Sequence, residues 1–135
     1  MSQKLKYPNG QGQQVMHDLN SDGTDDEVYS DIFQVEYCEV WNTHFEWTED
    51  TATYAAAVTL WCSNKPNPSE LNDDDWVQMV VAHGFSGLPN GDPAGGNGKD
   101  ATDVSASGAL WYRWKIARTT GAATWQAYVV RKDKR

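Results

Sequence analysis

The chain has 135 residues, enough for one two-layer core and too few for two ordinary domains. It carries 11 Lys and Arg against 19 Asp and Glu, a formal net charge of -8, which excludes the counterion-replacing surface of a nucleic-acid binder. Trp, Tyr, Val and Thr are plentiful while Leu and Ile are scarce, which favours strands, and no apolar run approaches bilayer-spanning length.

Met1 to Lys6 lack the apolar core of a signal peptide, so the expected place of synthesis and residence is a cytoplasm. Residues 1–17 are rich in Gln and Gly without periodicity and read as an extended arm held by a neighbouring subunit, leaving 18–135 as the folded domain. Asp18, Asn20, Asp22 and Asp26, with Gly23 for the sharp turn, match the spacing D-x-N-x-D-G-x-x-D of a short calcium loop. Alternate oxygens there converge on a hard cation, which makes Ca²⁺ the candidate cofactor, although Tyr29 stands where an EF-hand needs its bidentate Glu. An acidic turn before the first strand is the competing reading.

The first predicted strand spans Ile32 to Trp41, with Phe33, Val35 and Tyr37 alternating against Gln34 and Glu36; His44 to Trp47 extend it past a kink and Thr48 to Asp50 turn the chain. Tyr54 to Cys62 form the next and most central strand, its alanines leaving room for large neighbours. Pro66, Pro68 and the run Asp73-Asp74-Asp75 make 63–75 a surface loop, which serves either as a solvated run or as an acceptor of cations. Trp76 to Ala82 read as a strand, and 84–108, dominated by Gly, Pro, Asn, Asp and Ser, as a long functional loop or contact surface. Ala109 to Val130 read as a hairpin turning at Thr119-Thr120-Gly121, with Tyr112, Trp114 and Ile116 facing the core and Trp111, Arg113 and Lys115 opposite.

These elements predict an all-β chain, a two-layer antiparallel β-sandwich that is jelly-roll-like or immunoglobulin-like. Cys38 and Cys62 lack the spacing of a zinc or redox pair and read as small buried hydrophobes, a disulfide being the lesser option in a reducing compartment. His17, His44 and His83 are isolated, no two carboxylates stand out as a pair, and His83-Gly84-Phe85-Ser86-Gly87 does not meet the nucleophile-elbow spacing, so no enzyme is expected. Trp61, Trp111 and Trp125, beside Arg113, are the candidate partner-binding residues on an outward sheet face. A face covered by another subunit would use the same aromatics, and that reading is preferred.

Val58-x-Leu60-x-x-Ser63-Asn64, then Trp76-Val77, Tyr112-Arg113, Arg118-Thr119-Thr120-Gly121 and Ala127-Tyr128 form a pattern over about the last two-thirds of the chain. It resembles small β-sandwich virion proteins of tailed bacteriophages; sugar-binding discoidin-like sandwiches share its Ser-Asn, Trp and Tyr-Arg elements. The insertion at 65–74 and the Gly-rich 84–108 depart from it. The resemblance implies a capsid decoration or tail-associated structural protein, located in the virion, whose partners are the major capsid protein and copies of itself. The alternative it leaves is a carbohydrate-binding module for host attachment.

Overall fold

The computed structural model describes residues 4–6, 12–35, 40–50, 54–79, 98–105 and 108–132. Among these residues ten strands follow in chain order: β1 Lys4–Lys6, β2 Gln13–Ser21, β3 Glu27–Tyr29, β4 Ile32–Gln34, β5 Val40–Glu49, β6 Ala55–Ser63, β7 Val77–Gln78, β8 Gly98–Ser105, β9 Trp111–Thr120 and β10 Ala123–Lys132. Among the described residues there is no helix. One sheet has the order β1-β4-β9-β6-β7, with β3 also paired to β9; the other has the order β2-β10-β5-β8. All pairings are antiparallel except β1 with β4 at the sheet margin.

β3 and β4 behave as one interrupted strand along β9. Ser30 fills the gap, its amide donating to the Trp114 carbonyl and its hydroxyl accepting from the Trp114 amide at 2.8 Å. With that counted as one strand, the order of crossings between sheets (β2, β3/β4, β5, β6 and β7, β8, β9, β10) is jelly-roll wiring, and the immunoglobulin-like alternative is set aside.

The predicted hairpin over 109–130 is corrected. β9 pairs with β3, β4 and β6, whereas β10 pairs with β2 and β5, so the chain crosses at Gly121 from one layer to the other. Gly121 has φ of 77°, the left-handed conformation that glycine adopts without strain. Flat hairpin and interlayer arch both turn alternate residues toward the core, so periodicity alone does not separate them. Pairing does: each strand lies in the interior of its own sheet, with both edges used.

Other expectations change similarly. β2 runs across the expected arm boundary at 17, and Val15 and Met16 are buried core residues, so residues 13–17 belong to the sandwich. The strand expected over 32–41 is two, with β4 and β5 in different sheets, and β5 continues through the expected turn to Glu49. β3 was not foreseen, and β7 is shorter than expected among the described residues. Within the stretch 84–108 expected to be loop, β8 is an edge strand, its Val104 buried and its Gly98 lying against the Trp47 indole so closely that any Cβ would collide with that ring. Cys38, Tyr37, Ser86 and His83 lie outside the described residues; Cys62 is half-buried on β6 against the core.

The core is an aromatic lattice. Phe45 meets Trp114 edge-on at 5.0 Å and Trp125 at 5.9 Å, and Trp41 meets Phe33 edge-on at 5.4 Å, arrangements that suit the ring quadrupole. Where these large rings meet, small residues face them: Ala56, Ala123 and Ala127 are buried in the same cluster. One polar relay crosses the core, with Trp125 Nε1 donating to Tyr54 Oη at 3.0 Å and Tyr54 Oη donating to Ser21 Oγ at 2.8 Å. Burial holds the Tyr54 phenol above its ordinary pKa, so the hydroxyl stays a donor.

Candidate functional site

Three surfaces compete for function: the outer face of the β9-containing sheet, the acidic loop after β2, and the outer face of the β10-containing sheet. The first holds most of the residues singled out in the sequence, and the fold uses them internally. The loop between β6 and β7 folds across this face. Asp75 shapes it by accepting from the Lys65 ammonium at 2.8 Å and the Ser69 amide at 2.7 Å, while Trp76 Nε1 donates to the Ser69 carbonyl at 2.7 Å.

Arg113 fastens the loop down. Its guanidinium lies over the Tyr29 ring at 3.9 Å and the Trp76 ring at 4.5 Å, and donates to the carbonyls of Ser69 and Asn72 and to Asp73 Oδ1. It is completely buried, as is Trp125, which faces the sandwich core; Trp111 is buried with Ile32 and Trp76. The expectation that Trp111, Trp125 and Arg113 line an open partner-binding face is therefore corrected. Trp61 alone of the four keeps partial exposure, its ring lying 4.9 Å from Lys115 Nζ and its indole donating to Thr59 Oγ1. A period of two shows which side chains share a face but not whether a distant loop returns to cover it.

Lys115, also buried, bridges Asp73 and Glu27, each at 2.7 Å. Burial opposes the charged form of Asp73, but the hydrogen bond and charge of Lys115 and the charge of Arg113 outweigh it, and the carboxyl titrates below its usual 3.8. Burial likewise opposes charge on Lys115, and the hydrogen bonds to Asp73 and Glu27 overcome it, leaving its pKa above 10.5. A lowered acid stabilises the fold above its unfolded pKa and loses that contribution as pH falls through the folded value. A raised base stabilises fully below its unfolded pKa and loses its contribution as pH rises through the folded value. The cluster thus contributes fully between about pH 4 and about pH 10. Replacement by Asp73→Asn is expected to lower the urea midpoint at pH 7 and to flatten its fall below about pH 4; an unaltered acid limb would show that Asp73 plays no part in it.

The acidic loop 22–26 is organised by a guanidinium. Arg118 donates to Asp26 Oδ1 at 3.0 Å and to the Gly121 carbonyl, and its head lies directly against Gly23, whose φ is 91°. Asp22 accepts from the Thr24 amide, which holds its carboxyl below the usual range. Asp18 accepts from Gln126, and Asn20 Oδ1 accepts from Thr124 across β10. The four expected calcium ligands are thus drawn to four different partners. Among the described residues no group of three or more His, Cys, Asp or Glu side chains is placed to hold a metal, and these four side chains are engaged with partners in the protein. Calcium near millimolar, the range of weak extracellular sites, is expected to leave the melting midpoint of the protein unchanged. With Arg118→Gln, which frees the carboxylates, it is expected to raise that midpoint; a rise in the wild type would restore the calcium reading.

The outer face of the second sheet carries partly exposed polar side chains around Tyr128. The register aligns Gln14, Tyr128, His44 and Ala101 in one rank, Gln126, Glu46 and Lys99 in the next, and Val130, Asn42 and Asp103 beyond Tyr128. Tyr128 is 38% exposed and meets the His44 ring edge-on at 5.7 Å; His44 Nε2 is 2.9 Å from Glu46 Oε2. Asn42 Nδ2 donates to Asp103 Oδ1, and Gln14 Nε2 to Gln126 Oε1. This is an aromatic platform amid planar amide and carboxylate groups, built on four adjacent strands. None of these residues except Tyr128 had been part of a sequence motif, because the rank is assembled from positions far apart in the chain.

No protein-family profile matches the sequence. No curated protein matches it either. Among solved structures, the chain is similar to a carbohydrate-binding module, TmCBM27, described for specific mannan recognition, with 11% identity and a TM-score of 0.38, over 90% of this chain and 73% of that one.

Proposed function

We propose that the chain is a non-enzymatic jelly-roll module of a tailed-bacteriophage particle, a decoration protein that binds the major capsid protein and copies of itself. One observation carries this reading: the residues of the resemblance to small virion proteins coincide with the fastenings of the frame. Ser63 Oγ accepts from the Lys65 amide where the covering loop begins, and Asn64 Oδ1 accepts from the Leu110 amide, tying that start to the segment before β9. Trp76 and Arg113 stack beneath it, and Arg118 secures the arch at Gly121. Such a pattern reports a shared framework, and jelly rolls recur in viral capsid domains, an analogy of fold. The test is a density gradient of intact particles. A copy number comparable to the major capsid protein is expected; a few copies per particle would move the protein to the tail, and absence would overturn the virion reading.

The exposed Tyr128 amid polar side chains favours a second reading, a carbohydrate-binding module. An exposed ring stacks on the apolar side of a sugar while neighbouring amides and carboxylates bond its hydroxyls. Calorimetric titration with a panel of soluble polysaccharides, mannan included, tests it. Binding lost in Tyr128→Ala and kept in Trp61→Ala is the expected result, and no heat with any member would overturn it.

A further inference from the structure

Along the margin where β3 lies against β9 runs an open groove of about 860 Å³. Leu19, Val28 and Ala117 are its half-buried apolar lining, while Asp25, Asp26, Glu27 and Glu70 make it acidic. Asp26 is held by Arg118 and Glu27 by Lys115; Asp25 and Glu70 add two carboxylates that form no ion pair among the described residues. Leu71, 88% exposed, stands at the same groove.

Apolar lining with a carboxylate margin suits a Lys or Arg side chain, whose hydrocarbon stem covers apolar surface while its head reaches the acids. The densest run of that chemistry in the sequence is Arg131-Lys132-Asp133-Lys134-Arg135, which begins at the end of β10. Its described part, up to Lys132, runs away from the groove. β10 starts at Ala123 beside Ser21 and ends at Lys132 beside Val40, and Leu19 is level with Trp125. From Trp125 to Lys132 the strand rises roughly 23 Å. Residues 133–135, fully extended, span only about 10 Å. Leu19 of the groove and Lys132 at the end of β10 therefore lie toward opposite ends of the sandwich.

We infer that the chain associates with itself head to tail, residues 132–135 of one copy seating in the Asp25 and Glu70 groove of the next. This deepens the virion reading, in which copies of the chain are partners, and rests on it only for where the assembly is used. The contact is heterologous, so it closes into a ring or continues as a filament according to the rotation between copies.

Sedimentation velocity of the full chain tests it, at roughly 50 mM and roughly 500 mM salt, conditions that lengthen and shorten the screening distance. Assemblies larger than monomers are expected at low salt and fewer at high salt. A tail variant (Lys132→Glu, Lys134→Glu, Arg135→Glu) and a groove variant (Asp25→Lys, Glu70→Lys) are each expected to weaken association roughly tenfold or more, since several modest surface pairs are reversed together. Combining both sets in one chain restores it. An equimolar mixture of the two variants is expected to associate again as alternating copies, because each tail then meets a groove of opposite charge on the other variant. A monomeric wild type at low salt, variants that associate unchanged, or a mixture that stays monomeric would each overturn the contact. A chain found on particles yet monomeric alone overturns the contact and leaves the virion reading; head-to-tail assembly by a chain absent from particles does the reverse.

Discussion

Replacing Arg113 by alanine is expected to destabilise the fold by about 3–5 kcal/mol, the range for removing one partner of a buried charge pair. The magnitude follows from what the guanidinium holds. It is fully buried and supplies hydrogen bonds to two loop carbonyls and to Asp73, while its plane fills the space between Tyr29 and Trp76. Its loss strands those acceptors and opens a cavity together. Arg113→Lys is expected to recover little, since an ammonium offers neither the flat stacking surface nor the fork of donors. Arg113→Met combined with Asp73→Asn is expected to recover more, because it keeps packing volume while removing the negative charge left behind. Urea unfolding measures each, and hydrogen exchange over residues 64–76 locates the effect. A loss below about 1 kcal/mol in the alanine variant would mean that the loop is held by something other than Arg113.

Trp125→Ala is expected to cost about 3–5 kcal/mol as well, by deleting a large ring from a close-packed core. Trp125 packs against Phe45 and Trp47 and donates to Tyr54 Oη. Were it a surface partner-binding residue, the change would fall within about 0.5 kcal/mol of the wild type and would act on association instead. Thermal and urea unfolding of the isolated chain therefore separate the two placements. Trp125→Phe is expected to fall between them, retaining ring contacts while removing the donor to Tyr54.

These two residues mark where the sequence pattern stops being informative. Alternation along 111–116 correctly sorts Tyr112, Trp114 and Ile116 to the core and Trp111, Arg113 and Lys115 to the other face. It is silent on whether that other face meets water. Here a loop some forty residues upstream returns over it, and Asp73, in a run that reads as solvated, becomes the counterion of two buried cations. The calcium spacing is similar: Asp18, Asn20, Asp22 and Asp26 have the right intervals, but Arg118 from β9 enters the loop and supplies the positive charge. The rank around Tyr128 was hidden for the opposite reason, being polar in each strand and noticeable only once β2, β10, β5 and β8 lie side by side.

What the sequence determined by itself was the all-β class, the sandwich, the faces of its long strands and the crowding of its core by tryptophan, because period and side-chain type act locally through the pleat and through burial. The tertiary structure alone decided that the chain arches at Gly121 instead of pairing as a hairpin, that β8 arises within a Gly-rich stretch, and that Arg113 and Trp125 are internal. Those outcomes depend on which strand edges find partners and which loops return over a face. They are settled by hydrogen bonds and ion pairs between residues far apart in the chain, for which no local pattern carries a signal.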